Sequence, residues 1–225
     1  MRRFLTPNLC CLFLCTLWTS AVAVEKPPQT IKDVGAVVDP DGDCQVKDDE
    51  GTITITIPTT HHDLTYTDDY QKLNSPRILQ DIKGDFRVEG RVETFDLPNE
   101  KASSGGKYSF VSSGLLVWQD DHNFIRMDRA AVGNSPFIWV ERFQDAKSVS
   151  HKMRGIENKD TLLRVTRSGD KFTFETSEDG KEWSEVHSEE AKLADQLKVG
   201  ALAINTTVEE FSVKLKDFKL SETKE

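Results

Sequence analysis

The sequence predicts an all-β protein, a two-sheet antiparallel β-sandwich with at most one short helix. Three observations carry this. Apolar and polar residues alternate with a period of two along most of the chain after residue 33, the spacing of half-buried strands. Turn signals such as Arg167-Ser168-Gly169-Asp170 and Asp179-Gly180 separate these runs. Only Ser188–Leu197 (SEEAKLADQL) reads as helical, with Ser188 as N-cap and Glu189 and Glu190 at the positive end of the dipole. No repeat of roughly 20–50 residues is present, which argues against a propeller or solenoid.

The chain opens with Arg2 and Arg3, an apolar run from Leu9 to Trp18, and the small-x-small site Ala21-Val22-Ala23. The run is shorter than the about 20 residues a membrane-spanning helix needs. Residues 1–23 therefore read as a signal peptide cut after Ala23, and the protein is expected to be exported, secreted or periplasmic, with no membrane span after cleavage. An uncleaved anchor is the alternative. A lipoprotein signal fits poorly, because Leu14 before Cys15 is too large. Residues 24–33 form a Pro-containing lead-in, extended or disordered. Residues 34–220 form one domain and residues 221–225 a solvated tail.

Within the domain, Thr52–Ile57 reads TITITI, with Ile53, Ile55 and Ile57 on one face and Pro58 ending the run. Phe86–Phe95 places Phe86, Val88 and Val92 opposite Arg87, Glu89, Arg91 and Glu93. Gly114–Ala130 (GLLVWQDDHNFIRMDRA) holds two alternating runs, Leu115–Trp118 and Asn123–Arg129, around the polar turn Gln119–His122, the pattern of an antiparallel hairpin. Phe137–Phe143 sets Phe137, Trp139, Glu141 and Phe143 against Ile138, Val140 and Arg142. Thr161–Thr166 and Lys171–Thr176 form a second hairpin, and Val199–Asn205 is a nearly continuous apolar strand. Phe211–Leu215 alternates and then slips register so that Phe218 and Leu220 face inward, which predicts a bulge at Lys216-Asp217. Pro98–Lys107 and Gln144–Lys159 read as loops.

The chain has 38 acidic and 29 basic residues, a net charge of −9. Removing Arg2 and Arg3 makes the balance more negative. A nucleic-acid or anionic-lipid partner needs a basic footprint, so neither is expected. Three of the four cysteines fall in the leader. Cys44 alone remains, so no intrachain disulfide can form, and Cys44 reads as a small buried hydrophobe.

Several blocks coincide in order with one known group. They are DPDGDC at Asp39–Cys44, TITITIP followed by HHDL, NSPRILQDIKGDFRVEGRVE at Asn74–Glu93, the Gly114–Ala130 hairpin, LLRVTRSGDKFTFETSEDGKEW, and VGALAINTT at Val199–Thr207. Together they resemble the regulation-of-enolase-like domain within the concanavalin A-like lectin/glucanase superfamily, from about Val34 to Leu220. The resemblance implies a jelly roll of two curved antiparallel sheets and an accessory module of secreted bacterial proteins. Fold alone does not fix function, because the superfamily holds lectins, glycosidases and adhesion modules.

Sugar binding is the leading expectation, on the concave sheet that the resemblance implies. Trp118, His122, Arg126 and Trp139 are the candidate ligand-binding residues: aromatic faces stack on pyranose C–H surfaces while polar groups fix hydroxyls. The competing reading makes Trp118 and Trp139 core residues. The alternative function is an envelope protein-interaction or structural module, with an envelope protein as partner. Glycoside hydrolysis stands third and a non-enzyme is expected, because the E-x-D-x-x-E pattern of the superfamily's retaining enzymes is missing. Glu89 and Glu93 share a strand face, but positions four apart span roughly 13 Å, beyond the about 5–5.5 Å of a retaining pair.

No cofactor is required by the sequence. Calcium is the one it raises: Asp39, Asp41 and Asp43, with Glu50 at the twelfth position, have the spacing of a calcium loop. Gly42 at position four and Pro40 depart from that pattern, and D-P-D-G makes a turn without metal. His61-His62-Asp63 are not expected to share one metal, since neighbouring strand side chains point apart. Ser177–Trp183 (SEDGKEW) reads as a structural turn, and Asn205-Thr206-Thr207 matches a glycosylation acceptor.

Overall fold

The computed structural model describes residues 28–67, 69–99 and 108–223. The expected leader and most of the Pro98–Lys107 loop lie outside the described residues. In chain order the strands are β1 (Thr30–Ile31), β2 (Gly35–Val38), β3 (Gln45–Asp49), β4 (Thr52–Ile57), β5 (Leu64–Tyr66) and β6 (Gln71–Leu73). There follow β7 (Arg77–Lys83), β8 (Phe86–Val92), β9 (Phe110–Asp120), β10 (Asn123–Val132), β11 (Ser135–Gln144) and β12 (Lys147–Gly155). The chain ends in β13 (Thr161–Ser168), β14 (Lys171–Ser177), β15 (Ser184–Glu190), β16 (Gln196–Asn205) and β17 (Phe211–Glu222). No described helix is long and apolar enough to cross a membrane.

Two sheets stack as a jelly-roll sandwich. The larger runs β1-β2-β7-β16-β9-β10-β11-β12 and the smaller β15-β14-β13-β8-β17-β4-β3, with antiparallel neighbours throughout. Their facing sides make the main core: Ile53, Ile55 and Ile57 of β4 and Phe172 and Phe174 of β14 join Leu115, Val117, Ile125 and Met127 of the larger sheet. The period-two pattern puts these residues on one face and so builds the sandwich. Close strand approach needs glycine at the sheet's centre, because a Cβ at Gly200 would lie 1.8 Å from the Ile78 carbonyl oxygen and one at Gly114 2.0 Å from that of Met127.

The bulge after Lys216 is present, with Asp217 in the left-handed region at φ 54°. Phe218 and Leu220 pack against the core. Two expectations need correction. Ser188–Leu197 is not a helix: Ser188–Glu190 end β15, paired with β14, and Gln196 already begins β16. The sheet edge offers this segment ladder hydrogen bonds, and buried Ala191 with half-buried Leu193 leaves too short a link for a helix. Gln144–Lys159 is not all loop: Lys147–Gly155 forms β12, a mostly exposed edge strand without an apolar face. Within the lead-in, Thr30 and Ile31 are extended and pair with β2.

The outer face of the larger sheet, turned away from the sandwich core, is not simply solvated. A separate hairpin, β5 with β6, lies over one end of it. Leu64, Tyr66 and Leu73 of this hairpin cover Leu116, Trp118, Phe124, Phe143, Leu202 and Ile204, making a second, smaller apolar cluster.

Candidate functional site

Beyond the hairpin the same outer face opens into a cavity of about 590 Å³, within the usual range for small-molecule sites. Its floor comes from three adjacent strands: Phe110 of β9, Arg126 of β10, and Phe137 and Trp139 of β11. Alternation puts these side chains on one face, and pairing brings them side by side. His61, Asp63 and Tyr70, from the segment entering the hairpin and from its turn, form a wall, and Tyr108 lies at the lining too.

The polar floor is one connected cluster. Arg126 donates through Nη2 to Glu141 Oε2 at 2.8 Å, and its Nη1 lies 3.2 Å from Asp128 Oδ2. Trp139 Nε1 donates to the same Glu141 oxygen at 2.9 Å, and Ser148 Oγ to Oε1 at 2.7 Å. The Trp139 ring stacks on His151 with centroids 5.3 Å apart. On the wall, Tyr70 Oη and His61 Nε2 are 2.6 Å apart, and Asp63 Oδ1 accepts from the Leu64 amide at 2.7 Å.

Electrostatics separate the carboxylates. Burial pushes Glu141 up, but Arg126 and its hydrogen-bond donors outweigh that and hold it below the usual carboxylate range. Asp63 behaves likewise: burial raises it, while the bond from His61 and the charge of Arg126 bring it down. Asp128 goes the other way, to about 7. It is 0% exposed, so burial, with Glu141 and Asp63 nearby, beats the attraction of Arg126 and the hydrogen bond from Ser112.

The four ligand-binding candidates divide. Arg126 and Trp139 line the cavity. Trp118 is 7% exposed beneath the hairpin, stacked on Phe124 at 5.0 Å, with the Arg77 guanidinium 4.7 Å from its ring. His122 is exposed on the β9–β10 turn and packs edge-on against Tyr66 at 4.6 Å. His61, Asp63 and Tyr70 were not singled out as ligand-binding residues, and only His61-His62-Asp63 hinted at them, by alternation that sends His61 and Asp63 one way and His62 the other.

The remaining motifs lie elsewhere. Glu89 and Glu93 sit on the outer side of the smaller sheet, paired with Arg164 and Lys216. In SEDGKEW, Asp179 Oδ1 accepts from the Lys181 and Glu182 amides, and the Arg164 guanidinium lies 3.5 Å from the Trp183 ring centroid. Asn205 is buried, donating to the Pro58 and Glu209 carbonyls, so the folded chain does not present it for glycosylation. The carboxylates of the calcium-like loop are engaged by protein donors, and Asp41 and Asp43 both lie beside His62 Nε2. Asp39 accepts from the Gly42 and Cys44 amides, Asp41 from Asn74, and Asp43 from Thr60. Cys44 is half-buried rather than fully buried. Burial and the Asp39 and Asp43 charges hold its thiol well above the ordinary range.

A second cavity of about 600 Å³ lies among Arg154, Lys159, Thr176, Glu178, Glu182 and Ser184. Among the described residues it has no aromatic lining and so no stacking surface.

Solved structures support the sandwich. A functionally unknown protein from Saccharomyces cerevisiae matches with TM-score 0.70 at 15% identity, covering 85% of this chain and 97% of that one. The glycoside hydrolase family 43 protein BlXynB from Bacillus licheniformis matches with TM-score 0.61 at 14% identity, over 83% of this chain but 36% of its own. The carbohydrate-binding module CBM66 from Bacillus subtilis matches with TM-score 0.52 at 11% identity, over 87% and 100%. At such identities the likeness is one of fold. No curated protein matches the chain in sequence. Residues 42–223 match the model of a family described as protein of unknown function, and the chain belongs to that family, DUF1349.

Proposed function

We propose that this protein is an exported, non-catalytic module that binds an uncharged saccharide in the cavity floored by Arg126 and Trp139. The observation that carries this is an aromatic-lined pocket whose polar groups converge on one cluster. Trp139, Phe137, Phe110 and Tyr70 supply faces for sugar rings, and Arg126, Glu141, Asp63 and His61 supply hydroxyl partners.

Charge selects the ligand class. Arg126 faces Glu141 and Asp63, both held ionised, and Asp128 adds more negative charge as pH rises past about 7. The cluster is thus net negative, and it disfavours uronates and sulfated sugars. Support for a non-catalytic role comes from the same groups. A glycosidase needs a protonated carboxyl that reaches the leaving oxygen. Among the described residues the one carboxyl with a raised pKa, Asp128, is fully buried. The carbohydrate-binding neighbour and the ordered regulation-of-enolase-like blocks fit this reading.

The test is a glycan array followed by calorimetric titration. Saturable binding of a neutral oligosaccharide, lost in Trp139→Ala, is expected. No binding of any saccharide at millimolar concentration, with a specific protein recovered in a pull-down, would replace this reading with an envelope interaction module.

A further inference from the structure

We propose that Asp43, Cys44 and His62 form a binding site for one zinc-class metal ion, outside the cavity and independent of what occupies it. The turn between β2 and β3 brings Asp43 and Cys44 up against His62, which is held by the His62–Asn205 bridge in the segment entering the β5–β6 hairpin. One carboxylate oxygen, the Cys44 sulfur and one imidazole nitrogen all lie within 4.8 Å of one another. His62 Nε2 is 2.9 Å from Asp43 Oδ1, and Cys44 Sγ is 3.7 Å from that same oxygen. Tetrahedral zinc, with bonds of about 2.0–2.1 Å to N and O and about 2.3 Å to S, needs donor separations of about 3.3–3.6 Å. The third separation, sulfur to imidazole nitrogen, lies within 4.8 Å, so a rotation of the Cys44 side chain would have to complete the site.

The state of His62 points to a cation. The ring is completely buried, and Nδ1 lies 3.1 Å from the Thr60 carbonyl oxygen. Thr60 Oγ1 also lies 3.3 Å from Nδ1, but its single proton goes to the nearer Asp43 Oδ2 at 3.1 Å; a carbonyl only accepts, so Nδ1 carries the proton between them. Nε2 then aims at the Asp43 carboxylate, with Asp41 Oδ2 3.7 Å away. A lone pair facing two carboxylates is repelled, so something positive belongs there: a second proton or a metal. The arrangement around it is that of a metal ligand, whose other ring N–H donates to a backbone carbonyl. Thr60 Oγ1 also donates to Asp43 Oδ2 at 3.1 Å, fixing the carboxylate's orientation.

The donor set decides which metal. Imidazole and thiolate suit zinc-class ions, whereas calcium takes oxygen ligands. The loop that resembles a calcium site in sequence thus becomes a nitrogen–sulfur–oxygen site in three dimensions, with a fourth position for Asp41 or water. Binding releases the Cys44 proton to solvent, and the Nε2 proton where His62 carries one; the resulting thiolate, carboxylate and neutral imidazole balance a dication. Asn74 Nδ2 donates to Asp41 Oδ2 at 2.7 Å and to the His61 carbonyl at 2.9 Å. The ion would therefore pin the turn to the segment that walls the cavity.

The test is titration of the chelator-treated protein with Zn2+ and, for its spectrum, Co2+. The expected result is one ion per chain, a raised Tm, and a thiolate-to-cobalt charge-transfer band. Cys44→Ser should lose the band and weaken Zn2+ binding at least about tenfold, and Asp43→Asn should weaken it without unfolding the chain. These two changes, at an exposed aspartate and a half-buried cysteine, carry the test because His62→Gln, at a fully buried ring, risks misfolding. The proposal is overturned if neither metal binds saturably, which would leave an imidazolium–carboxylate pair. It is equally overturned if Ca2+ binds in preference to Zn2+, or if Cys44→Ser gives the same cobalt spectrum.

Discussion

Trp118 and Trp139 stand on the same face of the same sheet, on β9 and β11 with β10 between them, and they meet different fates. Trp118 is stacked on Phe124, capped by Arg77 and roofed by the β5–β6 hairpin. Trp139 stacks on His151 at the edge of an open cavity and spends its N–H on Glu141. Nothing in the two strands themselves separates these outcomes. A short hairpin far away in sequence turns one end of the face into core and leaves the other as a site. Composition of a sheet face therefore says what a site could be made of, and the cover decides where it is.

The largest expected effects fall on the residues that join or seal the two ends. Arg126→Ala strands Glu141 and Asp128 without their cation and should destabilise the fold by about 3–5 kcal/mol, read by urea unfolding. Trp118→Ala should cost about 3–5 kcal/mol by emptying the sealed cluster while leaving saccharide affinity unchanged. If Trp118→Ala abolished binding in a still-folded protein, the division between sealed and open ends would fail. Trp139→Ala should show the reverse, with a modest loss of stability and a drop in saccharide affinity of about tenfold or more, near 1.4 kcal/mol, by calorimetry.

Next comes pH. The Asp128 carboxyl is raised to about 7 in the folded state, against about 3.9 when unfolded. Between these values the native chain holds a proton that the unfolded chain has released. Its contribution is full below about pH 4 and is lost as pH rises toward 7. Asp63 and Glu141 are depressed and act oppositely, losing their contribution as pH falls through the acid range. Asp128→Asn should therefore flatten the fall in stability between about pH 5 and 7, measured by Tm across that window. Smallest is His122→Ala at the exposed turn, expected within about 0.5 kcal/mol and without effect on binding; a loss of affinity there would extend the site under the hairpin.

The sandwich was legible where strands carry their own alternation. β4, the β9–β10 hairpin and the bulge after Lys216 follow from side chains a few residues apart. β12 was not, because an edge strand needs no apolar face: Val149 and Met153 are exposed along it. The apparent helix at Ser188–Leu197 had a cap and acidic first turn, yet β14 offered its first residues a ladder. Arg126 and Trp139 were readable as neighbours on one face. The wall of His61, Asp63 and Tyr70 was not, since no local pattern places that segment over β10. The approach of His62 to Asp43, 19 positions away, is likewise a product of the fold.

The hairpin that makes the difference is slight: two strands of three residues each, in a sheet of their own. Such a unit has little cooperative stability alone. It is held by Leu64 in the apolar cluster, by Arg77 donating to the Leu73 carbonyl, and by the neighbouring His62–Asn205 bridge. Local opening draws on the weakest cooperative unit, so it should begin here, well below the free energy of global unfolding. Each such excursion would uncover Trp118 and Phe124 in line with Trp139, briefly lengthening the groove into a second, cryptic register of aromatic faces.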